Sequence, residues 1–254
     1  MQDASSTEAG TTMDTDSNFA TSAGKQLGLY ALYALFGLSV LIYVLSVAAG
    51  SSGGSVSGGA INVERNSITI VLTEEPPQLD STRSTDAVSF IVLAHAMEGL
   101  IAYDDNDQLT PGVAERWEIR DDGATFWIRE DAKWSDGQPV TAYDFEFAWR
   151  RVLDPATGSE YSFILYPIKN AELVNRGDLP KEMIGVRALS DRVLEVEFER
   201  PTPYFDKLVA FTTYYPLRED FFGSTNGRYG ADTDMLLSNG PYVVTEWIHG
   251  SSML

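Results

Sequence analysis

The segment from Pro111 to Pro155 constrains the fold of this chain most strongly, because two different hydrophobic periods follow each other within it. In its first half, apolar and polar residues alternate on both sides of an Asp-Asp-Gly turn signal that ends at Gly123. Alternation with period two places every second side chain on one face of a strand, so this half predicts a β-hairpin. The apolar positions are Trp117 and Ile119 before the turn, and Phe126 and Ile128 after it.

In the second half of the segment the spacing changes to that of a helix. Thr141 and Asp144 form a capping-box pattern with a short acid, and Pro155 predicts the end of the helix because the residue before a proline avoids the α region. Glu146 and Arg150 are spaced to pair on the polar face. The predicted buried face carries apolar residues at i, i+3, i+4 and i+7, namely Phe145, Ala148, Trp149 and Val152.

Other patterns predict the neighbouring elements. The β-branched run Ser67–Thr73 predicts a strand, and Ala87–Leu100 predicts a buried helix that closes at its glycine. The alternating run Val186–Glu199 predicts a second hairpin, which turns at Ser190-Asp191. The acidic run Asp104–Asp107 lacks the spacing of an EF-hand calcium loop and predicts a hairpin turn instead.

Composition narrows the class of protein. The chain has 254 residues, a formal net charge of −19 and no cysteine. An acidic surface repels phosphate backbones, which argues against nucleic-acid binding, and the lack of cysteine excludes disulfides and thiolate chemistry. The two histidines, His95 and His249, have no partner at the spacing of a zinc site. We therefore predict neither a metal nor a cofactor.

The N-terminal part of the chain reads as a membrane anchor. Residues 27–49, Leu27 to Ala49, carry no charge and would span about 35 Å as a helix, enough for a hydrocarbon core of about 30 Å. Residues 1–26 are polar and predict a disordered cytoplasmic tail, because Lys25 favours the cytoplasmic side. Residues 50–62 predict a flexible Gly/Ser linker. The small residues that end at Ala49 leave open the alternative of signal-peptide cleavage.

Residues 109–155 carry a family resemblance. The sequence REDAKWSDGQPVTAYDFEFAWRRVLDP, preceded by LTPGVAERWEIRDDGATFWI, resembles the oligopeptide- and dipeptide-binding branch of the extracellular solute-binding proteins, family 5, which serve ABC importers. The resemblance extends from about Ile68 to Leu254. It implies an α/β fold of the periplasmic-binding-protein type (type II), with residues 63–254 as an N-terminal fragment. That fragment would contain the first lobe, with an inserted subdomain at about 88–215, and lack the second lobe.

The resemblance also implies where a ligand is bound. The segment Thr85, Asp86 and Ala87 lies where the family presents an extended chain to the main chain of the ligand. Tyr161 matches a tyrosine that faces the ligand cleft in the peptide binders. The return of the chain into the large lobe, at Asn239 and Gly240, is expected to lie near the cleft.

The implied function is that of a receptor that captures oligopeptides or dipeptides and delivers them to permease subunits driven by cytoplasmic ATPases. With the predicted anchor, the protein is expected in the cell inner membrane, with a cytoplasmic N-terminus and a periplasmic binding domain, and it is not expected to be an enzyme. Two alternatives remain: a tethered peptide sensor or chaperone without transport, and a hydrolase that uses a carboxylate pair. The candidate pairs are Asp131 with Asp136 and Glu195 with Glu197.

Overall fold

The computed structural model describes residues 61–62, 67–70 and 72–254. The predicted tail, the membrane helix and the linker before Ile61 lie outside these residues. Within the described part, no helix has the length and apolar character needed to cross a membrane. The chain divides into two compact units, residues 1–71 and residues 72–254.

In the first unit, β1 (Ile61–Asn62) pairs antiparallel with β2 (Ser67–Ile68). The strand predicted over Ser67–Thr73 is thus wrong in its extent. Among the described residues, pairing ends with Ile61 opposite Ile68, and the two residues after Ile68 are not in a strand although the sequence stays β-branched.

In the second unit, the first helix, α1 (Ala87–Ala96), starts where the sequence predicts and stops earlier. The prediction that it runs to Gly99 and Leu100 is wrong. The side chain of Asn239 binds both backbone groups of Glu98, accepting from the N–H at 3.1 Å and donating to the carbonyl at 2.9 Å. This pairing holds the chain extended just after the helix, so the helical ladder cannot continue.

The hairpin of β3 (Ile101–Tyr103) and β4 (Leu109–Pro111) follows α1. The carboxylate of Asp104 accepts hydrogen bonds from the backbone of Gln108 at 2.9 Å and of Asn106 at 2.8 Å, and these bonds lower its pKa. The acidic run is therefore a turn, as predicted.

The central feature is a four-stranded antiparallel sheet in the order β5-β6-β8-β7. Both predicted hairpins are confirmed within it, and β6 joins them by pairing with β8, which places Phe126 opposite Leu194. The strands are β5 (Ala114–Arg120), β6 (Gly123–Ile128), β7 (Val186–Ser190) and β8 (Val193–Glu197).

Helix α2 (Ala142–Leu153) confirms the prediction for the second half of the opening segment. The side chain of Asp144 accepts from the backbone N–H of Thr141 at 2.7 Å, as in a capping box. All four predicted core residues are fully buried: Phe145, Ala148, Trp149 and Val152.

The face of α2 that carries Glu146 is also covered, which the sequence pattern did not predict. The carboxylate of Glu146 pairs with Arg150 as expected, but it also accepts the backbone N–H of Ala188, in β7, at 2.8 Å. The helix is thus fixed to the sheet by a polar contact as well as by its apolar face.

The rest of the described chain forms short elements, several of which contribute side chains to one continuous hydrophobic core. They are α3 (Ala171–Asn175), α4 (Phe205–Leu208), α5 (Glu219–Ser224), the hairpin of β9 (Trp247–Ile248) and β10 (Ser252–Met253), and five single turns of 3₁₀-helix, Pro155–Thr157, Ser162–Leu165, Lys181–Met183, Thr212–Tyr214 and Thr233–Met235.

Candidate functional site

The predicted ligand segment Thr85–Ala87 lies at the N-terminal end of α1. Thr85 and Ala87 are exposed, whereas Asp86 is half-buried. The side chain of Asp86 caps the helix, because one oxygen accepts the backbone N–H of Ser89 and the other accepts its hydroxyl, both at 2.7 Å. Asp86 is therefore the N-cap residue of α1, a structural role that the sequence alone did not show.

The backbone of this segment is available for binding. Among the residues that the structure describes, no group accepts a hydrogen bond from the N–H of Thr85, Asp86 or Ala87. Donors at the start of a helix have no partner within the helix, and here they lie in an exposed stretch. They can therefore donate to the carbonyl groups of an extended ligand.

Tyr161 lies beside α1, in a group of aromatic side chains that we call the aromatic cluster: Phe90, Tyr161, Phe163 and Phe211. The ring of Phe90 lies 5.8 Å from that of Tyr161 and 5.3 Å from that of Phe211, in edge-to-face contacts. Tyr161 stacks on Phe163 at 5.9 Å, and Phe163 and Phe211 are 56% and 36% exposed. Aromatic rings so exposed can pack against a ligand side chain.

Sequence reasoning missed Phe90, Phe163 and Phe211. The sequence predicts Phe90 only as part of a buried helix, and Phe163 lies two residues from Tyr161 with no pattern to distinguish it. Phe211 approaches the others solely through the tertiary fold. The available signal was the apolar composition of α1, AVSFIVLAHA, around its whole circumference.

One side of α1 remains uncovered in the described part of the chain. Ala87, Ile91 and Ala94 are exposed and share one face, whereas Val88 and Val92 are buried on the opposite face. A helix that is apolar on all sides is normally buried on all sides. This apolar stripe, next to the aromatic cluster, is thus a surface that favours an apolar partner.

Asn239 and Gly240 lie at the other end of α1. Asn239 is buried and binds Glu98, as described above, and the backbone N–H of Gly240 donates to the carbonyl of Ala96 at 3.0 Å. A Cβ atom at Gly240 would lie 2.7 Å from the backbone nitrogen of Met97. The helix separates these two residues from Thr85 by about 15 Å, so the structure does not bring all the predicted site residues together.

Three of the four carboxylates of the hydrolase hypothesis are engaged in ion pairs. Asp131 pairs with Arg129 at 3.0 Å, and this guanidinium lowers the pKa of Asp131, the opposite of what a general acid needs. Asp136 pairs with Arg218 at 2.6 Å, and Glu197 with Lys169 at 2.6 Å. These contacts favour structural roles for Asp131, Asp136 and Glu197.

A polar cavity of about 330 Å³ lies beside the start of α2. Burial raises the pKa of Asp144 there, although that carboxylate is already fixed by Thr141 and by the Trp134 indole N–H at 3.1 Å. In the described residues, no group of three or more His, Asp or Glu side chains is placed to hold a metal ion. The cavity lining is Asp136, Gln138, Pro139, Thr141, Asp144, Arg218 and Asp220.

Comparison with known proteins identifies the family. Residues 108–254, more than half of the chain, match the model of the bacterial extracellular solute-binding proteins, family 5 (middle). The chain belongs to this family, and its fold is the α/β fold of periplasmic binding proteins, present here as a partial chain.

Similar proteins agree with this assignment. The oligopeptide-binding protein OppA of Bacillus subtilis is 37% identical over 220 residues, which cover 84% of this chain and 40% of that protein. A solved substrate-binding domain of an oligopeptide ABC transporter from Bacillus anthracis is 46% identical, with a TM-score of 0.69 over 71% of this chain and 35% of that one. Listeria monocytogenes OppA bound to peptide is 37% identical, with a TM-score of 0.67 over 69% of this chain and 35% of that one. The chain thus spans about two fifths of the length of such relatives, or less.

Proposed function

We propose that this chain is the part of an ABC-importer receptor that receives the ligand, and that it captures oligopeptides or dipeptides. The observation that carries the proposal is the aromatic cluster next to the unengaged backbone donors of Thr85–Ala87. These donors suit the main chain of any extended peptide, since backbone pairing ignores side-chain identity. The aromatic rings add affinity for apolar peptide side chains.

The proposal also includes the cellular location of the protein and its partners. Residues 27–49 anchor the protein in the inner membrane with the N-terminus in the cytoplasm, and the binding domain works in the periplasm. The receptor passes peptide to permease subunits that cytoplasmic ATPases drive. Support comes from the similar proteins, which include an oligopeptide-binding protein, a dipeptide-binding protein and the substrate-binding domain of an oligopeptide ABC transporter.

Calorimetric titration tests the binding function. The full natural polypeptide, purified in mild detergent, is titrated with tri-alanine and with Ala-Phe-Ala. We expect both to bind, and we expect Phe211→Ala to weaken binding of Ala-Phe-Ala about 3- to 10-fold, the range for one lost aromatic contact, while tri-alanine binding changes less. Tyr143→Ala, an exposed aromatic residue on α2, is the matched control.

If the natural protein binds neither tri-alanine nor Ala-Phe-Ala, the proposed function is wrong. Equal losses of peptide affinity in Phe211→Ala and Tyr143→Ala would instead contradict the role of the aromatic cluster.

A separate affinity purification from membranes distinguishes an importer receptor from a sensor, because a receptor that delivers peptide is expected to copurify with permease subunits.

A further inference from the structure

A buried ion pair lies directly behind the ligand segment. Asp80 and Arg151 form a two-point contact at 3.1 Å and 2.8 Å, with side chains only 3% and 13% exposed. The two residues are 71 positions apart in the chain. The guanidinium of Arg151 also lies over the ring of Phe222 at 4.4 Å, so its plane is fixed from a second direction.

The carboxylate of Asp80 organises the loop that leads to Thr85. The oxygen that faces Arg151 at 3.1 Å also accepts the backbone N–H of Thr82 at 3.1 Å and the hydroxyl of Thr82 at 2.7 Å. The Asp80 carbonyl accepts both the N–H and the hydroxyl of Ser84, each at 2.8 Å. The chain between Asp80 and Ser84 is therefore closed into a tight turn, and the next residue is Thr85.

The same loop is joined to α1. The carbonyl oxygen of Gln78 lies 3.1 Å from the hydroxyl of Ser84 and 2.9 Å from that of Ser89, in the first turn of the helix. Each hydroxyl shares its single proton between this carbonyl and a second acceptor, the Asp80 carbonyl for Ser84 and the Asp86 carboxylate for Ser89. Ser89 in turn donates to Asp86. A continuous set of hydrogen bonds thus extends from the ion pair to both sides of Thr85–Ala87, while the backbone N–H groups of these three residues have no acceptor among the described residues.

We propose that Arg151 is a positioning residue for peptide recognition, which acts through Asp80 to hold the backbone of Thr85–Ala87 in its binding conformation. This inference rests on the proposed function and adds a residue to it. Arg151 does not touch the ligand segment. Its effect is to lower the conformational entropy that the loop loses when peptide binds.

The test must distinguish a loss of peptide affinity from a loss of stability. Variants that remove one or both charges of the ion pair make this distinction possible. Arg151→Met alone leaves a buried carboxylate without its partner, so that variant is expected to be less stable. The double variant Asp80→Asn/Arg151→Met removes both charges, which restores much of the stability without restoring the two-point contact. Arg150→Met is the matched control, because Arg150 is the adjacent arginine on α2 and pairs with Glu146 instead.

Each variant of the full natural polypeptide is titrated with tri-alanine, and amide hydrogen exchange is measured at Thr82, Ser84 and Ser89. We expect at least a tenfold weaker affinity and faster exchange in the double variant, with Arg150→Met close to the natural protein. Arg151→Lys should recover part of the affinity, because lysine restores the charge but not the planar two-point contact.

Two results would overturn the inference. If the double variant binds tri-alanine as tightly as the natural protein does, the ion pair has no positioning role, although the peptide-binding function stands. If the natural protein itself fails to bind tri-alanine and Ala-Phe-Ala, the function and the inference both fail. Peptide affinity of the natural protein therefore distinguishes the two kinds of failure.

Discussion

Asp86 lies in the predicted ligand segment, but its side chain has a structural role as the N-cap of α1. The family resemblance implies a ligand contact, whereas the structure shows both carboxylate oxygens bound to Ser89 at the start of α1. Ser, Thr, Asp and Asn at this position satisfy a helix donor that would otherwise lack a partner. The two roles make different predictions for conservative substitution.

We expect Asp86→Ala to lower the free energy of unfolding by about 1 kcal/mol, the usual cost of a lost N-cap, and Asp86→Asn to stay close to the natural protein. Urea denaturation measures both. If Asp86→Asn is fully stable but binds tri-alanine clearly more weakly, the acid contacts the ligand after all, and the capping role is not its main one.

Helix α2 carries several of the fully buried residues of the core. Trp149 is fully buried, its ring makes edge-to-face contacts with Tyr214 at 5.1 Å and Phe205 at 6.3 Å, and its indole N–H donates to the carbonyl of Tyr214 at 2.8 Å. The residue thus fills space and satisfies a buried acceptor. The sequence predicted its burial but could not name these partners.

Trp149→Ala is expected to cost about 3–5 kcal/mol of unfolding free energy, because it leaves a large cavity and an unpaired carbonyl. Tyr143→Ala, on the exposed side of the same helix, should change stability by no more than about 0.5 kcal/mol. Chemical denaturation of the two variants provides the comparison. Similar losses for both would mean that Trp149 does not pack against Tyr214 and Phe205 as described.

At the scale of the whole molecule, three buried tyrosines link stability to alkaline pH. Burial raises the pKa values of Tyr214, Tyr215 and Tyr229, that of Tyr215 to about 12 from 10.0. Below pH 10 these phenols are neutral in both the folded and the unfolded protein. As the pH rises above that value, the unfolded chain releases its protons first, so folding becomes less favourable.

We expect stability to fall between pH 10 and 12, with Tyr215 accounting for about 3 kcal/mol at most at the upper end. Tyr215→Phe should make this decline shallower, whereas Tyr103→Phe, at an exposed site, should not. Urea denaturation across this range, together with tyrosinate absorbance, measures the effect. An unchanged decline in Tyr215→Phe would show that its hydroxyl is accessible to solvent in the folded state.

The elements that could be predicted from the sequence are those that depend on patterns among neighbouring residues. The hairpins around Gly123 and Asp191 and the start and end of α2 follow from alternation, helical spacing, turn residues and a proline, all of which act over a few neighbouring residues. Element extents were predicted less well. The end of α1, for example, depends on Asn239, which lies 141 residues away from Glu98.

The sequence by itself therefore determined the family, the hairpin-and-helix framework and the residues at which to look for a ligand. Only the tertiary structure decided which of these residues have backbone or side-chain groups that are engaged within the described part of the chain. It brings Phe90, Tyr161 and Phe211 into one cluster and places Arg151 behind Asp80, and it assigns Asn239 and Asp86 to structural hydrogen bonds. Contacts of this kind join distant parts of the chain, and no periodicity along the sequence encodes which distant side chains will meet.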